Sequence, residues 1–209
     1  MLTRVEREKQ IRRESIIDCA ERLFNLKGYQ QTTMNEIAME SEFTKRTIYK
    51  YFTSKQEIYY EIAYRAFKAL KDYTDNILYE KNVNGYEKTL IFAKRYVEFL
   101  RTNELYCKIM LEMKSAQVQL TKEESQLFQE TDAVASEIII GKIIEEGIKD
   151  GSIIKTCTSF ELSFMLWGAI SGIVAIAHSK RKIIEENTNK TSDDFIYKSV
   201  QGIVKTLKA

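Results

Sequence analysis

The sequence predicts an all-α protein: an N-terminal three-helix, helix-turn-helix unit followed by a C-terminal helical bundle. Three observations lead there. The 209 residues include no proline and only eight glycines, so helix breakers are scarce. Apolar residues recur at three- and four-residue spacing along most of the chain. Two residues with N-cap character, Thr33 and Thr44, flank a stretch with room for one short helix and a tight turn.

Arg4 to Lys27 reads as the first helix. Ile16, Ala20, Leu23 and Phe24 form its stripe, and Gly28 sits where a C′ glycine ends a helix. Its basic residues (Arg4, Arg7, Lys9, Arg12, Arg13) alternate with acids, a pattern that suits a solvated face at least as well as a phosphate-facing one. Thr33 opens the second helix, with Glu36 closing a capping box, and turns Ile37 and Ala38 inward. Ser41, Glu42 and Phe43 leave space only for a turn before Thr44 caps a third helix, whose Ile48 and Phe52 lie on the buried side. In such a layout the later helix enters a major groove and presents its first turn to base edges. Lys45, Arg46 and Thr47 fill that turn, and Tyr49, Lys50 and Tyr51 follow. Arginine pairs bidentately with guanine, threonine bonds either groove partner, and tyrosine and lysine hold phosphates. Ser54 reads as the next cap, and Lys55 adds a positive charge to a helix start that already favours a phosphate.

The fourth helix is expected to run from Ser54 to about Tyr79, with Ile58, Ile62, Ala66, Leu70, Tyr73 and Ile77 in its stripe. Glu80 to Gly85 is the first loop beyond it. Helices at Tyr86–Arg101, Glu104–Gln117 and about Lys122–Lys149 carry apolar residues on two faces, which requires sandwiching in a bundle. Within them Tyr96, Tyr106, Met110, Met113 and Phe128, together with Trp167, are candidates to line an apolar pocket, although core packing is the commoner role of residues of these types. Phe160 to Ala177 is the most apolar run. It falls short of the ~20 residues a bilayer span needs and reads as a buried helix. Phe164, Gly168 and Gly172 on it, with Ile196, Val200, Ile203 and Leu207 on a last helix from about Ser192 to Lys208, form the candidate subunit interface. The expected domains are 1–55 for DNA binding and 56–209 for ligand binding and dimerisation.

The first fifty-five residues closely resemble the DNA-binding domain of TetR-type (tetracycline-repressor-like) regulators. The resemblance is carried by A-x-x-L-F-x-x-x-G-Y from Ala20 to Tyr29, T-T-x-x-x-I-A from Thr32 to Ala38, and T-I-Y-x-Y-F-x-x-K from Thr47 to Lys55. It implies that Thr33, Tyr49 and Lys55 take phosphates and that positions 45–47 and 50–51 face the groove. It also implies that the last two helices build a four-helix interface with a partner copy, on a weaker likeness spanning Gly147 to Ile176. The chain departs from the pattern at Glu42, where the family usually has glycine. A left-handed residue there costs a non-glycine about 1–2 kcal/mol, so the turn is expected to be less regular.

Charge and composition narrow the function classes. The formal net charge is +2; residues 1–55 hold 11 Lys/Arg and 8 Asp/Glu, or +3, leaving −1 for the remainder. A small basic end on a near-neutral body suits a protein that meets DNA through one module. Three widely spaced cysteines and one histidine form no metal-ligand pattern, and a reducing cytoplasm is the expected location, with no membrane association. No nucleophile–base pair or glycine-rich phosphate loop points to an enzyme, and no cofactor is expected. These readings converge on a homodimeric transcription regulator, a repressor. It would bind a palindromic double-stranded operator and be released by a small apolar or amphipathic effector. The alternative is a DNA-tethered protein that recruits a partner through its bundle without a ligand.

Overall fold

The computed structural model describes residues 3–115 and 135–209, and they form ten α-helices and one 3-10 segment. The chain divides into two compact units, Met1–Ala66 and Phe67–Ala209, and the division falls within the fourth helix rather than at residue 55. The sequence positions Met113 (its side chain) and Phe128 lie outside the described residues.

The first unit consists of α1 (Arg4–Lys27), α2 (Met34–Glu40), α3 (Lys45–Tyr51) and the first part of α4 (Lys55–Thr74). Helix starts follow local chemistry. Thr3 with Glu6 and Thr33 with Glu36 each complete a capping box, and Thr44 caps α3 alone. Gly28 ends α1 at a φ of 84°, its N–H donating to the Phe24 carbonyl at 2.9 Å. Ile16, Ile17, Ala20, Ile37, Ile48, Phe52, Ile58 and Ile62 are almost completely buried, so the apolar stripes of all four helices meet in one small core.

The second unit begins on α4 at Phe67. The helix expected to reach Tyr79 stops at Thr74 and tightens into a 3-10 segment, Asp75–Tyr79. The buried Thr74 hydroxyl donates to the Leu70 carbonyl at 2.8 Å, and Arg95 donates to the Tyr73 carbonyl and the Asn76 side chain. Side-chain competition for backbone groups of this kind ends helices. There follow α5 (Gly85–Thr102), α6 (Glu104–Ser115), α7 (Ala135–Lys149), α8 (Ser159–Ser179), α9 (Arg181–Thr188) and α10 (Ser192–Lys205). Helix α8 packs on α7 and α10, and α5 packs on α7, α8 and α10. Helix α5 crosses α7 glycine to glycine: a Cβ on Gly85 would stand 2.1 Å from the Gly147 nitrogen. Beside that crossing the buried Lys88 ammonium donates to both Glu146 oxygens (2.9 and 3.0 Å) and to the Leu78 carbonyl (3.1 Å), which satisfies its charge.

Helix α8, at 21 residues, is the only described helix long and apolar enough to cross a membrane by length and composition. Its Leu162, Leu166, Ile170, Val174 and Ala177 are buried within the second unit, while Phe164 and Met165 are exposed, so one side of the helix is core rather than the whole of it.

Candidate nucleic-acid interface and internal cavity

The turn between α2 and α3 sets the geometry of the first unit. The Ser41 N–H donates to the Ile37 carbonyl (3.0 Å), that of Glu42 to Met39 (3.1 Å), and that of Phe43 to Ala38 (3.0 Å). The last two bonds are the 5→2 and 6→1 pair of a Schellman motif, with Glu42 at C′ and a φ of 57°. The turn is therefore regular despite lacking glycine, and Glu42 carries the left-handed strain itself.

Helix α3 is held by Ile48, with no exposed surface, and by Phe52 just beyond its end. Every other position on it is at least partly exposed. Thr44 accepts from the Thr47 N–H at 3.2 Å, and the two hydroxyls share a 2.8 Å hydrogen bond. The Lys45 ammonium lies 6.0 Å from the Tyr49 ring. Arg46 and Lys50 have no hydrogen-bond or ion-pair partner among the described residues, and α3 contains no acid. The helix thus leaves cations and hydroxyls exposed at Thr44, Lys45, Arg46, Tyr49 and Lys50, with Thr47 and Tyr51 half-buried.

Two of the expected phosphate contacts are differently engaged. Thr33 donates both its N–H (2.8 Å) and its hydroxyl (2.9 Å) to the Glu36 carboxylate, so its donors close the capping box. That carboxylate also receives the Lys27 ammonium, and the hydrogen bonds from Lys27 and then Thr33 push its pKa down to about 2. Lys55 is turned inward and donates to the carbonyls of Tyr29 (2.6 Å), Gln30 (3.4 Å) and Thr32 (2.7 Å). At the helix start beside it the Glu57 N–H donates to the Ser54 hydroxyl (3.1 Å), and the Glu57 carboxylate accepts from the Thr53 N–H (2.6 Å) and hydroxyl (3.0 Å). Arg13, open in sequence to either a phosphate or solvent, forms a two-pronged bond to Glu61 and covers the Phe52 ring at 4.9 Å.

Sequence reasoning missed Arg65. Its guanidinium gathers Glu14, Asp18 (2.6 Å) and Glu21 (3.1 Å) from one face of α1. Burial disfavours its charge, but the carboxylates outweigh burial and hold its pKa above the ordinary arginine value. The 14, 18, 21 spacing is an acidic helix stripe, a signal that some cation has to answer it.

In the second unit, Tyr96 and Trp167 line an internal cavity of about 10 Å³ with Leu70, Phe92, Ile140 and Ser163. The volume suits about one water molecule. Burial pushes the Tyr96 phenol well above its ordinary pKa, and its hydroxyl meets Ser171 at 2.9 Å and the Trp167 indole. Two other pocket candidates are not in its lining: Tyr106 stacks on Phe99, and Met110 is buried.

The interface expectation needs correcting on α10. Ile196, Val200 and Leu207, at 0, 4 and 8% exposure, pack within the second unit itself, and Ile203 is half-buried. A helix whose strongest apolar stripe meets its own bundle offers a partner only its flank. On α8, Phe164 is exposed and a Cβ on Gly168 or Gly172 would meet nothing within 4 Å; Phe160, Met165 and Ile176, which the sequence reading did not single out, are exposed as well.

Residues 16–62 match the pattern of the family described as "Bacterial regulatory proteins, tetR family". The chain is 30% identical over 155 residues to the HTH-type transcriptional regulator YhgD of Bacillus subtilis, covering 74% of this chain and 78% of that one. It is 25% identical over 128 residues to IcaR of Staphylococcus epidermidis, described as the biofilm operon icaADBC HTH-type negative transcriptional regulator, covering 61% and 67%. Among solved structures, the TetR-family regulator PfmR of Thermus thermophilus superposes with a TM-score of 0.65 at 20% identity, over 91% of this chain and 97% of that one. A Rhodococcus protein of unknown function reaches 0.74 at 16% identity, over 95% of both chains. At these identities the superpositions speak to the fold.

Proposed function

Because the chain belongs to the TetR family of transcriptional regulators, we propose that it is a homodimeric repressor of a palindromic operator, released by a small effector. The observation that carries this reading is α3: a helix pinned by Ile48 and Phe52, free of acids, with unpaired Arg46 and Lys50 facing outward. Arg46 and Thr47 read base edges, and Lys45, Tyr49, Lys50 and Tyr51 serve phosphates and the groove wall. Thr33 and Thr44 act chiefly as caps that set the helices carrying these groups.

The exposed apolar face of α8 supports pairing with a second copy through Phe164, Gly168 and Gly172, with Ile203 on the flank of α10. Such a dimer presents two α3 helices to half-sites about one helical turn apart, roughly 34 Å. Repression is favoured by the relative named as a negative regulator, and the cytoplasm is where such a protein meets its operator. The effector enters at Tyr96 and Trp167. With space for about one water, the cavity has to open, so the ligand is an apolar or amphipathic molecule that selects an expanded form of the second unit. Helix α4, whose Leu70 lines the cavity and whose first turns belong to the first unit, is the coupling element.

Duplexes selected from random DNA by the full chain test this reading. The selected sites are expected to be inverted repeats that bind two protomers by sedimentation. Compounds that release them should change the fluorescence of Trp167, the only tryptophan. Non-repeated sites bound by one protomer would refute the dimer, and release without a Trp167 response would refute the cavity.

A further inference from the structure

We propose that Lys55 is a positioning residue: its ammonium fastens the α1–α2 loop onto the start of α4 and so sets the helix-turn-helix, without itself holding a phosphate. The inference rests on the DNA-binding reading above.

An ammonium has three protons, and all three are spoken for by the converging carbonyls of Tyr29, Gln30 and Thr32. The Tyr29 ring lies 4.2 Å from the same nitrogen and adds a cation–π contact. Tyr29 is itself fixed between the rings of Phe24 (5.4 Å) and Tyr59 (4.8 Å). The buried Thr32 hydroxyl closes the loop onto the Gly28 carbonyl at 2.9 Å. The loop therefore folds around the lysine with three oxygens pointing inward, an arrangement that repels itself once the charge is gone. The residue after it is Thr33, the cap of α2, and α2 passes directly into the Schellman turn and α3. An error in the loop is thus an error in the aim of Arg46. Turning Lys55 out to a phosphate would leave those three carbonyls without their donor, beside a Glu57 carboxylate that Thr53 holds at the helix start.

The test compares wild type, Lys55→Met and Lys55→Arg, each at a temperature where circular dichroism shows it fully folded. The duplexes are the one selected by wild type and a shuffled duplex of the same composition, titrated across a salt series. Lys55→Met, which keeps the apolar stem, is expected to lower the ratio of selected to shuffled affinity at least tenfold, with the salt slope unchanged. Lys55→Arg is expected to follow it in the ratio, because a planar fork cannot aim three N–H groups at three converging carbonyls even though the charge remains.

A slope reduced by about 0.9, with equal losses on both duplexes, identifies a phosphate contact and overturns the proposal. An unchanged ratio in folded Lys55→Met leaves only a stability role and also overturns it, as does a Lys55→Arg indistinguishable from wild type. A wild type that prefers neither duplex sinks the DNA-binding reading and this inference together. A preference in wild type with any of the preceding outcomes sinks this inference alone.

Discussion

Replacing Glu42 by glycine is expected to stabilise the helix-turn-helix. Glu42 occupies C′ of a complete Schellman motif at a φ of 57°, the position where a Cβ collides with its own backbone. Relief of that strain contributes about 1–2 kcal/mol. Glycine gives back roughly 0.5–1 kcal/mol through the greater freedom of its unfolded chain. The net gain is about 0.5–1 kcal/mol, or ~1–4 °C in a thermal melt of a chain this long. Amide exchange localises the effect: the Glu42 and Phe43 N–H groups, bonded to Met39 and Ala38, should exchange more slowly in the variant. Two controls separate backbone from charge. Glu42→Ala keeps the Cβ and should yield no gain, and Glu42→Gln removes the charge while leaving the strain. A Glu42→Gly variant no more stable than Glu42→Ala would refute the reasoning, as would Glu42→Gln matching the glycine variant.

Three further outcomes follow from the same geometry. The Glu36 pKa is depressed on folding, from about 4.5 to about 2, by Lys27 and Thr33. Its stabilisation is therefore complete above its unfolded pKa and lost as pH falls from about 4.5 toward 2; acid titrations of wild type and Glu36→Gln should differ in that window and run parallel above it. Gly85→Ala drives a methyl into the Gly147 backbone and the Ile143 carbonyl and is expected to cost at least about 1–3 kcal/mol. Gly141→Ala, with nothing within 4 Å, is the control and should be neutral or stabilising in the same melts. Gly168→Glu places a charge on the open face of α8 and should yield folded monomers by sedimentation, since the substitution has space within the protomer; a persisting dimer would locate the interface elsewhere.

The features legible in sequence were those made by near neighbours in the chain. Thr33 with Glu36 and Thr44 ahead of Lys45 are caps whose partners lie three residues away, and Ile48 with Phe52 is a stripe one turn apart. What periodicity could not supply was the partner across space. Lys55 looks the same in sequence whether it faces a phosphate or three carbonyls some 25 residues earlier. Arg65 likewise could not be joined to α1 until the helices were packed. On α10 the apolar stripe was visible, but nothing local distinguishes a stripe buried in its own bundle, as Ile196 and Val200 are, from one awaiting a partner. The apolar stripe runs past the end of α4, which Thr74 and Arg95 set through backbone carbonyls.

The central claim is that α3 reads DNA sequence, and the most direct test is the binding of Arg46→Ala to the selected and shuffled duplexes at one salt concentration. Arg46 is exposed, unpaired and in the first turn of α3, so truncating it leaves the fold intact. A loss of about 1–3 kcal/mol is expected on the selected duplex, with relaxed preference at one base pair of each half-site and little change on the shuffled duplex. Equal weakening on both would make Arg46 a phosphate contact and contradict the assignment of α3 as the reading helix.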